Sequence, residues 1–221
     1  LDIFSTASLI ASLVSRSSAF FTSFISLLID AADPFGNGHM LPRGILREPL
    51  RSIKQADVVV LTKADFGRDN VPVLREMLTR RFNKHKILEA KYKPVCFTDI
   101  VSRKRYNPDF IRGKKLSVLS GIADPRYFKR ILKELGGVLI REFDYRDHST
   151  YTEGDLSSIE SKSKESGSEF IITTEKDAVK LNKLNIKSAL RVLILHVEVE
   201  ITKDMEELVD TISGLNSSNS R

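Results

Sequence analysis

Several side chains in this sequence pair a reactive type with a placement that could use it. His148 stands in FDYRDHSTY, directly after a strand candidate and the carboxylate of Asp147, with Tyr151 three residues on. A histidine next to a carboxylate at a strand end can serve as an oriented general base or meet a phosphate, although a lone histidine is more often a packed or surface residue. In TTEKDAVKL, Thr173 or Thr174 can cap a helix whose first turn holds Glu175 and Asp177, in keeping with the helix dipole. Lys176 goes against that dipole, so its position asks for an anion nearby. Arg47 and Glu48 close the stretch DPFGNGHMLPRGILREPL, from Asp33 to Leu50. A surface Arg–Glu pair is ordinarily a solvated bridge worth about 0–1 kcal/mol. A guanidinium at the rim of a cleft, however, can hold phosphate or sugar oxygens bidentately.

Those residues need elements to carry them. Gly36, Asn37 and Gly38 together with Pro34, Pro42 and Pro49 exclude a helix or a central strand over Asp33–Leu50, which is therefore a long shaped loop of the kind that usually persists for function. Before it, FISLLID (Phe24–Asp30) reads as a buried strand ending in a carboxylate. After it, Val58–Leu61 is a second apolar strand, Val71–Phe82 a helix, and Lys91–Thr98 a short strand followed by a basic loop. Lys115–Ile122 is a strand, and Asp124–Gly137 a helix with Asp124 as N-cap, Pro125 at its first position and glycines at its end. Val138–Tyr145 is a strand and Thr152–Gly167 a polar surface helix. Glu169–Leu181 is a strand turning into a helix, Arg191–Val199 a strand and Lys203–Leu215 a closing helix. This alternation predicts an α/β fold with a mostly parallel sheet covered on both faces, whose ligands belong at the carboxyl ends of the strands. The boundary is expected near Arg112. That gives an atypical apolar, Ser-rich segment over 1–23, an incomplete first α/β unit over 24–111, a second α/β unit over 112–215 and a polar tail over 216–221.

The chain has 221 residues, 41% of them hydrophobic and 29% charged, which suits a soluble globular protein with a sizeable core. Its net charge of +6 favours anionic partners: nucleotides, phosphorylated substrates, nucleic acid or an acidic membrane surface. The lone Cys96 excludes a disulfide framework within the chain and a cysteine-based metal site. The absence of tryptophan argues against a base-stacking nucleic-acid platform. Residues 1–29 carry Asp2 and Arg16 among apolar and serine residues; Arg16 interrupts the run and the serines dilute it, so a buried strand or helix leading into Asp30 is the expectation there, with a membrane or signal segment as the alternative. No GxxxxGK[ST] phosphate cradle occurs in the sequence.

The corner TKAD (Thr62–Asp65) resembles the base-reading turn of GTP-binding proteins, with Thr62 where the pattern has Asn; an ordinary solvated turn is the alternative. A broader resemblance covers Leu28 to about Leu215. LIDAADPFGNGHMLPRGILREPL, ADVVVLTKAD, SGIADPRYF, FDYRDHSTY and TTEKDAVKL, in this order, look like the tetraacyldisaccharide 4'-kinase family. The resemblance implies a P-loop NTPase-like α/β/α fold with two such domains, the first incomplete here. It implies an enzyme that uses ATP and Mg²⁺ to phosphorylate the 4'-hydroxyl of the disaccharide lipid A precursor at the cytoplasmic face of the bacterial inner membrane, with no nucleic-acid partner. It implies a catalytic role for His148, substrate contacts for Arg47, Glu48 and Asn37, and a place near the nucleotide for Lys176. Residues 1–24 depart from the family, whose Walker A loop and Asp-Asp-Gly-Phe-Gln-His-type motif are missing, so the chain is expected to be an inactive fragment. Phosphoryl transfer rests on the positioning and electrostatics that those parts supply. Two other readings stay open: a lipid-phosphate-binding remnant without catalysis, and a GTPase-like P-loop module.

Overall fold

The computed structural model describes residues 25–44, 46, 48–83, 86–147, 149–184, 190–204 and 206. Arg47, His148, the segment 1–23, residues 207–215 of the expected closing helix and the tail 216–221 lie outside the described residues. The chain divides into two compact units, one comprising 25–93 with 199–206 and the other Pro94–Glu198.

In the first unit, β1 (Ser26–Asp30), β2 (Val58–Thr62) and the opening half of β3 (Ile87–Asp99) pair in parallel. Val58–Leu61 is buried without exception, the continuous apolar run that a strand covered on both faces requires. Helix α1 (Asn70–Phe82) sets Val71, Leu74, Leu78 and Phe82 on one face, spaced three and four apart, and they pack with Ile29, Ile53, Val59 and Leu61 in one core. The helix stops at Asn83, whose φ of 55° ends it in the left-handed region.

In the second unit the sheet order is β6 (Val138–Asp144), β5 (Lys115–Ser120), β7 (Phe170–Thr174) and β8 (Arg191–Lys203), each pairing parallel. A short β4 (Arg105–Tyr106) pairs antiparallel with the end of β3. Helix α2 (Pro125–Glu134) begins as the sequence predicts, with the Asp124 side chain accepting the Arg126 amide. Helix α3 (Glu153–Glu165) starts on a reciprocal capping box between Thr152 and Asp155, and α4 (Glu175–Leu181) on Thr174. Ile100, Leu119, Tyr151, Ile159, Ile171, Leu181 and Ile194 share its core.

Two expectations need correction. Strand β3 begins at Ile87 rather than Lys91, because Leu88–Tyr92 already alternates between buried and half-buried before Pro94. Strand β8 continues to Lys203, where a helix was expected to start; VEVEITK keeps the period of two, and Asp204 then turns with φ 63°. The two compact units meet inside β3, between Lys93 and Pro94, and in β8 between Glu198 and Val199.

Candidate functional site

The carboxyl ends of β1 and β2 lie side by side, with Asp30 opposite Thr62 in register. The next residue, Lys63, adopts φ 52° and is only 8% exposed. Its Nζ donates to Asp30 Oδ2 at 2.5 Å, while Asp30 Oδ1 accepts the Ala32 amide at 2.9 Å. The TKAD corner is thus a buried turn that returns its lysine to β1, and the solvated-turn reading fails because Thr62, Lys63 and Ala64 are all buried. Gly67 closes against the same strand end: a Cβ there would sit 2.2 Å from the Ala31 carbonyl oxygen. The Asn70 side-chain amide donates to that oxygen at 2.8 Å.

From Asp33 the loop is braced from within. Asn37 Nδ2 donates to the Arg43 carbonyl at 2.8 Å, and Asn37 Oδ1 accepts the His39 amide at 3.1 Å. Gly44 fits because a Cβ would lie 2.1 Å from both Asn37 Oδ1 and the His39 carbonyl. The loop also closes through Leu41 N–H to the Leu46 carbonyl, at 2.9 Å. Asn37 therefore shapes the loop with both ends of its amide. Glu48 is exposed just before Pro49 and the 3-10 turn Leu50–Gln55.

The second unit gathers its polar groups at the carboxyl ends of β5, β6 and β7. Asp177, fully buried, accepts the Gly121 amide (2.9 Å) and the Thr174 hydroxyl (2.8 Å) on Oδ2, and receives Lys180 Nζ on Oδ1 at 3.0 Å. Its own amide donates to Thr174 Oγ1 at 3.1 Å. Tyr151 is buried beside it, with Lys180 Nζ 5.6 Å from its ring centroid. Among the described residues the Tyr151 hydroxyl has no partner at hydrogen-bond geometry. Burial, followed by the Asp177 charge, pushes its phenol far up, so it stays protonated through the physiological range. The anion that Lys176 asks for is in the chain: Asp147 Oδ1 lies 2.7 Å from its Nζ. Asp144 accepts from the Ser120 hydroxyl at 3.1 Å and from Lys129 at 2.6 Å. Burial lowers the Lys129 ammonium, but Asp144 and Glu142 outweigh it and the net direction is upward.

Of the residues singled out from sequence, the structure describes Asn37 and Glu48 in one loop of the first unit and Lys176 in the second. Three that it makes central, Asp30, Asp177 and Tyr151, were not singled out for their own chemistry. For Asp177 a signal existed: Thr174-Glu-Lys-Asp177 has the [ST]-x-x-[DE] spacing of a capping pattern. For Lys63 facing Asp30 there was none, since 33 residues separate them. Among the described residues no three His, Cys, Asp or Glu side chains converge on a cation position, and the sequence has no phosphate cradle.

A family model described as Tetraacyldisaccharide-1-P 4'-kinase matches residues 22–214. Among curated proteins, the tetraacyldisaccharide 4'-kinase of Anaeromyxobacter sp. (strain K) is 33% identical over 184 residues, which is 82% of this chain and 48% of that protein. That of Syntrophus aciditrophicus is 30% identical over 192 residues, 83% of this chain and 51% of its own length. The chain spans about half the length of the curated relatives it matches. A crystal structure of "apo" form LpxK from Aquifex aeolicus in complex with ATP aligns with TM-score 0.48 and 24% identity, over 86% of this chain and 52% of that one.

Proposed function

Because this chain belongs to the tetraacyldisaccharide-1-P 4'-kinase family, we propose that it contributes to ATP-dependent phosphorylation of the 4'-hydroxyl of the tetraacyldisaccharide 1-phosphate precursor of lipid A. The observation that carries this is the continuous match over 22–214, which takes in both units. In this reading Mg²⁺ accompanies the nucleotide, and the enzyme works at the cytoplasmic face of a Gram-negative inner membrane. No helix among the described residues is long and apolar enough to cross a membrane, and a peripheral contact through the basic charge is compatible with that. Bound ATP would supply the phosphoryl group; the chain's own groups hold and orient.

Within the reading, His148 takes or orients the proton of the attacking hydroxyl. Arg47 meets the lipid's phosphate or sugar oxygens with Glu48 orienting its guanidinium, and Asn37 shapes the loop that presents them. Lys176, whatever nucleotide contact the resemblance implies for it, is engaged by Asp147. The 221-residue chain, lacking a phosphate cradle, is expected to show no transfer of labelled phosphate from ATP to a lipid A precursor above a vector control. Transfer by that chain overturns this expectation. A form that also carries a Walker A region should transfer phosphate, and His148→Ala in it should lower kcat by about 10²–10⁴-fold with the thermal midpoint held. Absence of transfer from that form overturns the kinase reading.

A further inference from the structure

We propose that Lys176 and Asp177 together form a clamp, with Lys176 as a positioning residue that fixes Asp147, in the loop between Tyr145 and Tyr151, at the carboxyl edge of the second unit's sheet. The inference rests on the reading of His148 given above, since that loop carries it. The two ends of the loop are already fixed. The Tyr145 amide donates to the Ser120 carbonyl at 2.8 Å, and the Tyr145 and Tyr151 rings meet edge to face with centroids 5.1 Å apart. Both rings pack in the core that holds Leu119, Ile171 and Ala178. Between these anchors the Ser149 amide donates to the Arg146 carbonyl at 3.0 Å.

Helix α4 supplies the other jaw. Asp177 ties its first turn to β5 through the Gly121 amide at 2.9 Å, across 56 residues of sequence. Room for that contact depends on glycine: a Cβ at 121 would stand 2.8 Å from Tyr151 Oη and 2.9 Å from Asp177 Oδ1. With the helix pinned there, the neighbouring Lys176 reaches Asp147 at 2.7 Å, both side chains partly shielded at 23% and 33% exposure. A cation in the first turn of a helix opposes the dipole, which is a local cost that a helix surface would not select. The ion pair to Asp147 gives that cation its function.

The clamp is tested in the 221-residue chain itself, without nucleotide or lipid, by amide hydrogen exchange read residue by residue. Lys176→Met should accelerate exchange at Ser149 roughly threefold to tenfold, as loss of a half-shielded pair allows. Gly121 exchange and the thermal midpoint should stay at wild-type values. Asp147→Lys should do the same, and the reversed pair Asp147→Lys with Lys176→Asp should restore protection. Unchanged exchange at Ser149 in Lys176→Met overturns the proposal. So does acceleration spread over the whole unit, or failure of the reversed pair to restore. Because no turnover is read, a failed clamp and a failed kinase reading give different results.

Discussion

Lys63, the residue after β2, donates to Asp30 at the end of β1 over 2.5 Å, with its own side chain 10% exposed and the aspartate's 33%. The burial is asymmetric, so the two truncations should differ. Asp30→Ala takes a carboxylate from a shielded ammonium and should lower stability by about 1–3 kcal/mol. Lys63→Met leaves a carboxylate that water can reach and should cost about 1 kcal/mol or less. Urea melts of both variants decide it: equal losses, or a larger loss for Lys63→Met, contradict the asymmetry.

Asp99 gives the second unit an acid-sensitive joint. Burial pushes its carboxyl up, but hydrogen bonds from the Arg191 guanidinium (2.9 Å) and the Ser102 and Val101 amides (2.8 and 3.0 Å) prevail, and it ends below its ordinary value of 3.8. A carboxyl whose folded value is depressed contributes stability that is fully present above its unfolded value and is lost as pH falls through the folded one. The chain should therefore lose stability from about pH 4 downward, and Asp99→Asn should flatten that part of the curve. The midpoint of urea unfolding, measured from pH 7 to pH 3, provides the check; an unchanged acid slope in Asp99→Asn means other carboxylates carry it.

Two glycines should respond to alanine with opposite signs. At Gly67 the new Cβ meets backbone, 2.2 Å from the Ala31 carbonyl oxygen, at the strand end that carries Asp30. Backbone cannot yield as a side chain does, so a loss at or above about 3 kcal/mol is expected. At Gly154, in the first turn of α3, the nearest atom is Thr152 Oγ1 at an ordinary 3.7 Å. There Gly154→Ala should stabilise by about 0.5–1 kcal/mol through the unfolded chain's entropy. Thermal melts with opposite shifts are the expected result, and destabilisation by both would show that α3 starts under a constraint other than space.

The Arg47–Glu48 pair is tested by kinetics in a form that carries the phosphate-binding region. Arg47→Lys keeps the charge but loses the planar fork, and should lower kcat/KM for the lipid about tenfold or more while KM for ATP holds. Glu48→Ala should give a smaller effect in the same direction. Wild-type kcat/KM for the lipid in both variants would leave the pair a surface bridge.

The residue pattern by itself determined which segments become strands and helices wherever the information is local. Val58–Leu61 had to be buried because it is apolar on both faces, Asp124-Pro125 had to open a helix, and the glycines and prolines of Asp33–Leu50 had to break one. The order of motifs also sufficed to identify the family. What only the tertiary structure decided are relationships between residues far apart in the chain. Lys63 reads as a solvated lysine until β1 and β2 align and bring Asp30 beside it, and Asp177 reads as a helix-dipole carboxylate until β5 and β7 bring Gly121 to it. Lys176 signalled its need for an anion through the dipole it opposes, but the sequence could not say that the anion is Asp147, 29 residues earlier. Local rules rest on sterics and hydrogen bonds within a few residues of one another, and parallel strands make their neighbours only after a crossover has returned the chain.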